Sequence, residues 1–188
     1  MANQITSALI TPRSLTVGLS LAFAGSILMA LMAQIQIYVP FSPVPITGQT
    51  FGVLFLGAVL GGKIGALSMV IYIAEGLSGI PVFAGVGSGP AYLLGPTGGY
   101  LIGFIPAAFL VGVMHESGWG RKIWASVLIM ILGTTIIFAF GIAGLALTVG
   151  FIYALEIGLY PFIPGALLKI LFATGLTATL NRPSHKLY

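Results

Sequence analysis

Few residues in this chain carry groups that can do chemistry, so the position of each one is informative. Lys169 closes the stretch PFIPGALLK (161–169), inside a long apolar run. Pro164 is a favourable first-turn residue, and five further residues at about 1.5 Å each put Lys169 roughly 7–8 Å below that helix start. An unpaired lysine at a bilayer centre costs about 2.5–3.5 kcal/mol on insertion scales, and buried ionisable groups face a bundle interior or a cavity. Two readings follow. Lys169 is held by an internal partner, with Glu75 or Glu156 as candidates, or it contacts an anionic ligand beneath the positive end of its helix.

Other chemical signals fail on their spacing. GAVLGGKI (57–64) approaches the phosphate-binding loop G-x-x-x-x-G-K-[ST], but Ile64 cannot ligate magnesium and the stretch ends an apolar run instead of following a strand. GVGSG around Ser88 has Val86 where a nucleophile elbow needs glycine. His115 and His185 lie in polar stretches a membrane thickness away and cannot serve Ser88 as a base. Glu75, Glu116 and Glu156 are the three acidic residues, too few for a proton relay. With no cysteine and two histidines, a metal or redox centre is not expected, nor any resident cofactor.

The elements that must hold these residues are set by composition. Of 188 residues, 58% are hydrophobic and 5% charged, with mean hydropathy +1.12, against about 25% charged in a soluble domain. The chain is an all-α integral membrane protein forming one transmembrane domain over 1–188. Apolar runs at Ser14–Ile37, Gln49–Gly61, Ile64–Ile80, Gly99–Met114, Ile123–Ala143 and Ile163–Leu180 predict six spans. A seventh over Leu145–Tyr160 would put Arg182 and Lys186 on the side opposite Arg13. With six, Arg13, Lys63, Arg121, Lys122, Arg182 and Lys186 share one side, so both termini are expected in the cytoplasm. The connection after the fifth run is then an outer loop or a half-inserted helix. The scattered basic residues form no nucleic-acid patch.

In this orientation the long Gly- and Pro-rich connections all lie outside. Irregular backbone at membrane depth survives only against protein or a water-filled cavity, which predicts a ligand pocket in the outer half. The chain shows no means of driving transport, so it leaks, binds or borrows energy from a partner. On the first helix, Gly18, Ala22, Ser26 and Ala30 recur every four residues, a spacing that permits close approach of another helix, within the bundle or from a partner.

Four blocks together resemble the BioY family: VPFSPVPITGQTFGVLFLGAVLGGKIGALS (39–68), EGLSGIPVFAG (75–85), LLGPTGGYLIGF (93–104) and PFIPG-x-LLK (161–169). That family comprises the biotin-capturing S components of energy-coupling factor (ECF) transporters, and the similarity covers about residues 20–180. It implies a six-helix fold in a bacterial-type cytoplasmic membrane that binds biotin from outside. Uptake then follows docking on a transmembrane coupling protein and two ATPase subunits, with the S component toppling in the bilayer.

Under this resemblance Gly18, Ala22, Ser26 and Ala30 become the docking face, and Ala22→Leu or Ser26→Leu is expected to block assembly while sparing biotin. The family motif PGD-x-x-K reads with Ala166 in place of its aspartate, beside the retained Lys169. The loss of one acceptor implies weaker binding, a shifted ligand or a substitute such as Glu75 or Glu156. Further contacts are expected from Ser88, Tyr100, Phe83, Gly85 and Gly98, and from Gln49 and Thr50 at the start of the second helix. Alternatives are an S component for another vitamin, or a solitary facilitator or homo-oligomer working without the ATPase module.

Overall fold

The computed structural model describes residues 12–180, with side chains from Leu15 onward; Arg182, His185 and Lys186 lie outside the described residues, as does the side chain of Arg13. The chain is almost wholly helical, because an apolar backbone in lipid must satisfy its N–H and C=O groups within its own segment. In chain order the helices are α1 (Pro12–Gln34), α2 (Gln49–Leu60), α3 (Gly62–Leu77), the single turn α4 (Pro90–Leu93), α5 (Gly98–Glu116), α6 (Ile123–Val149), α7 (Phe151–Gly158) and α8 (Ile163–Leu180). Four stretches are long and apolar enough to cross a membrane: Leu15–Gln34, Gly98–Glu116, Ile123–Val149 and Phe151–Leu180. The shorter α2 and α3 pack among them.

Contacts define two ends of the bundle. At one, the α2–α3 turn at Gly61 meets the last turn of α5, and His115 Nε2 lies 3.1 Å from Ser126 Oγ at the start of α6. Lys63, Arg121 and Lys122 belong to the connections at this end. At the other end, Tyr100 at the start of α5 donates to the carbonyl of Gly158 at 2.8 Å, and Ser42 donates to that of Ile157 at 2.7 Å.

Small residues let the helices approach. A Cβ on Gly112 would strike the backbone of Gly61 and Gly62, and one on Gly65 would lie 3.0 Å from the Cα of Gly57. Helix contacts in lipid depend on this close van der Waals packing, since tails are as apolar as leucine.

Several sequence expectations change. The α1 run stops at Gln34, and Gln36–Ile37 pairs antiparallel with Ile46–Thr47 in a two-residue hairpin. VPFSPVP lies inside that hairpin, where proline spacing concealed the strand signal. Helix α6 continues past Ala143 to Val149 because LALTV offers no breaker before Gly150, whose φ is +84°. Helix α7 has 8 residues, about 12 Å of helix against a hydrocarbon core of about 30 Å. It is too short to cross as a seventh span.

The small-residue ladder is also corrected. Ala22 and Ser26 are 0% exposed, packed in the α1–α3 seam. There the Ser26 hydroxyl lies within hydrogen-bond distance of Phe23 O (2.8 Å) and Glu75 Oε1 (3.0 Å). Gly18 and Ala30 are half-buried, with Ile64 Cδ1 of α3 3.9 Å from the Cβ position of Gly18. The close approach therefore serves an intramolecular helix, not an outer face. Ala22→Leu and Ser26→Leu should each cost about 1–3 kcal/mol by overpacking, read as a lower thermal midpoint of the isolated chain in detergent. Unchanged midpoints would contradict this packing.

Candidate ligand-binding site

A cavity opens at the end of the bundle opposite Lys63, Arg121 and Lys122. The space between its walls, counted out to open solvent at the mouth, is about 500 Å³. Its walls come from the hairpin (Val44, Pro45, Thr47), the first turn of α2 (Gln49, Thr50), Ala84, Tyr92, Thr97, the first turns of α5 (Tyr100, Leu101, Phe104), α6 (Ile137, Phe138), Phe162 and Lys169. Segments distant in sequence converge here because α2, α5 and α8 all begin at this end.

The floor is aromatic and aliphatic. Phe162 lies 6.4 Å from Tyr100 and 6.3 Å from Phe138, ring centre to ring centre. Such a group binds a ring by area and shape. The polar groups are few. Lys169 is half-buried, lines the cavity, and uses none of the hydrogen bonds or ion pairs found among the described residues. The nearest structural reason for a lysine at that height is therefore the cavity itself.

Gln49 is 6% exposed and ties the rim together. Its backbone N–H donates to Thr47 Oγ1 (3.3 Å), the Thr47 hydroxyl donates to Gln49 Oε1 (2.9 Å), and Gln49 Nε2 donates to Tyr72 Oη (2.7 Å). Tyr72 in turn donates to the carbonyl of Val82 at 3.1 Å. The Ala84 wall is held by its neighbours: Gln34 Nε2 donates to Phe83 O (3.0 Å), and the Val86 N–H donates to Gln34 Oε1 (3.3 Å). Val86 sits at φ +60°, an outlier for a β-branched residue.

The fold thus brings Lys169, Tyr100, Gln49 and Thr50 together, and leaves the other expected contacts outside the wall. Tyr100 lines the cavity, but its hydroxyl proton is engaged by Gly158. Phe83 is 0% exposed and buttresses the site from behind, stacked on Tyr92 at 4.8 Å and edge-on to Tyr72 at 5.5 Å. Ser88 is exposed and does not line the cavity. Gly85 faces the Tyr38 hydroxyl, 2.8 Å from its Cβ position, and Gly98 is pressed against the carbonyl of Leu93. Neither offers backbone to the cavity.

Glu75 belongs to the α1–α3 seam and Glu156 is exposed, so neither replaces the missing acceptor or pairs with Lys169. Ala166 is 7% exposed, on the turn before Lys169, but contributes no cavity wall.

Sequence reasoning missed Thr47, Tyr92, Thr97, Phe162, Ile137 and Phe138. Thr47, Thr97 and Phe162 lie inside the quoted blocks and were legible as members of them, and Tyr92 stands one residue before the third. Ile137 and Phe138 sit in an unbroken apolar run, where only three-dimensional packing separates a cavity wall from a lipid-facing residue.

A mostly helical apolar bundle with one cation and a buried amide set around an aromatic floor is a membrane protein with a cavity of mixed apolar and polar walls. A model of the BioY family matches residues 4–186. The chain belongs to the BioY family.

A biotin transporter BioY of Thermotoga maritima is 36% identical over 161 residues, covering 85% of this chain and 94% of that protein. One from Rhizobium etli is 35% identical over 160 residues, covering 81% and 86%. A probable biotin transporter BioY of Pyrococcus horikoshii is 44% identical over 134 residues, covering 71% and 78%. The crystal structure of the S-component for biotin from an ECF-type ABC transporter superposes with a TM-score of 0.83 at 26% identity, covering 93% of this chain and 95% of that one.

Proposed function

We propose that this chain captures biotin from outside the cytoplasmic membrane and takes it up as the S component of an ECF-type ABC transporter, and that it is not an enzyme. The observation that carries the reading is Lys169, a cation lining a cavity whose remaining walls are apolar or neutral. Biotin matches that cavity chemically, with a carboxylate for the ammonium, a bicyclic ring for the aromatic floor and a ureido group for the polar rim. The likeness to relatives named as biotin transporters supports the same ligand.

Six spans follow if α2 and α3 each cross beside the four longer stretches. The position of Lys63, Arg121 and Lys122 opposite the cavity supports a pocket in the outer half. Both termini are then cytoplasmic. The chain holds no nucleotide-binding motif of its own, which supports dependence on a coupling protein and two ATPase subunits. ATP is used by those partners, and no resident cofactor is required.

Calorimetric titration of biotin into the purified chain in detergent should give saturable one-to-one binding. Absence of heat at any accessible concentration would remove the reading. A second reading, an S component for another vitamin, is favoured by Ala166, which lacks the family's acceptor. Displacement of labelled biotin by a different vitamin at lower concentration would establish it. Uptake into proteoliposomes containing this chain alone, without ATP, would instead indicate a solitary facilitator.

A further inference from the structure

The hydrogen-bond network at the cavity rim has a polarity dictated by the backbone carbonyl at its Tyr72 end. Val82 C=O is an acceptor only, so the Tyr72 hydroxyl must give its proton there, and Tyr72 Oη can then only accept. The group 2.7 Å away on Gln49 is therefore its NH₂. At the other end the Gln49 backbone N–H is a donor only and occupies Thr47 Oγ1, whose own proton goes to Gln49 Oε1. The Thr47 end agrees with that orientation, since a hydroxyl that accepts from the backbone N–H still has its proton to give to Gln49 Oε1.

A primary amide has two N–H donors and two acceptor positions. Within the network Gln49 uses one of each, which leaves one N–H and one lone pair. Gln49 is 6% exposed and lines the cavity. A primary amide presents a donor and an acceptor side by side along its O–C–N edge, complementary to any planar N–H/C=O edge, as when Asn or Gln reads adenine by two parallel hydrogen bonds.

We infer that Gln49 is the specificity-determining residue for the ureido end of the ligand, pairing its free N–H with the ureido carbonyl and its free lone pair with the adjacent ureido N–H. The inference rests on the biotin reading above. It assigns the two ends of the ligand to different walls, with the carboxylate on Lys169 and the urea on Gln49. Thr47 and Tyr72 act as positioning residues, since each holds the amide from one side. The pairing also supplies an acceptor for a ureido N–H where Ala166 offers none.

The test compares biotin with 2-iminobiotin, whose cyclic guanidinium presents donors and no acceptor. Both are titrated calorimetrically into the full-length wild type, Gln49→Glu and Gln49→Met, with thermal midpoints recorded for each. A carboxylate accepts from a guanidinium by two parallel bonds but cannot donate to a urea carbonyl. Gln49→Glu should therefore weaken biotin by about 10- to 100-fold and strengthen 2-iminobiotin, inverting the preference. Gln49→Met, which has neither group, should weaken biotin and narrow the ratio between the two ligands.

If Gln49→Glu does not fold, the Gln49→Met ratio decides. A ratio unchanged from wild type, whether both affinities fall together or neither moves, would make Gln49 a rim-packing residue and overturn the inference while leaving biotin binding in place. Failure of the wild type to bind biotin would overturn both.

Discussion

Lys169→Met lowers biotin affinity by about 10- to 100-fold or more while leaving the unliganded bundle at least as stable as before. The loss follows from a charge-assisted hydrogen bond to the ligand carboxylate, a contact of about 1.5–3 kcal/mol, in a cavity where no second cation lines the wall. The stability follows from the same fact with the sign reversed. Without ligand, the half-buried ammonium has no hydrogen-bond or ion-pair partner among the described residues, so it bears a desolvation cost that methionine of similar length does not. Titration and thermal unfolding of the same two samples check both halves. A variant that binds normally would reassign Lys169 to a structural role. One that binds poorly and also melts earlier would show that the lysine supports the fold.

Gly112→Ala is expected to have a large effect on folding. A Cβ at that position meets Gly62 N and the Gly61 carbonyl carbon, and Gly62 itself packs against the backbone oxygen of Phe109, 2.9 Å from its own Cβ position. Both surfaces are backbone, so no side-chain rotation relieves the clash and the α2–α3 turn must move away from α5. The cost lies at or above the upper end of the usual 1–3 kcal/mol for overpacking, or a fall of roughly 6–12 °C in the unfolding midpoint. Gly175→Ala is the matched control, since nothing lies within 4 Å of a Cβ there. The emission of Trp119 and Trp124, near the same end, gives the readout. Because this contact is at the end opposite the cavity, Gly112→Ala that remains folded should bind biotin within a few-fold of wild type. Equal midpoints for Gly112→Ala and Gly175→Ala would mean that the helices are not this close.

These two positions separate what each level of description reveals. Lys169 was conspicuous in the sequence because a charge inside an apolar run is costly and needs a reason. Gly112 was invisible there, one of 27 glycines, since nothing in its neighbours says which helix passes over it. The same division runs through the ladder on α1. Its four-residue spacing was plain, and so was the close approach of some helix, but spacing is a property of one surface and cannot identify the surface that covers it. Folding supplied the answer as Ile64 of α3 against Gly18 and Glu75 of α3 against Ser26.

The pocket residues divide in the same manner. Gln49 and Thr50 could be assigned to the start of the second helix. Gly85 and Gly98 shared their blocks with true wall residues, yet a shift of one or two positions along a tight turn reverses the direction a residue faces. Glu75 was a reasonable partner for Lys169 by depth alone, and it turns out to face a different seam.

The amino-acid sequence by itself determined the membrane class, the helical content, the side on which the basic residues gather and the family. Each of these depends on transfer free energies and local propensity summed along the chain, or on motifs read in order. Tertiary structure alone decided which small residues are seams, which aromatic rings make a floor, that Lys169 faces a cavity with no carboxylate wall, and how the Gln49 amide is turned. Those features depend on distances between segments far apart in the chain, and hydrogen-bond direction and close packing exist only once those segments meet.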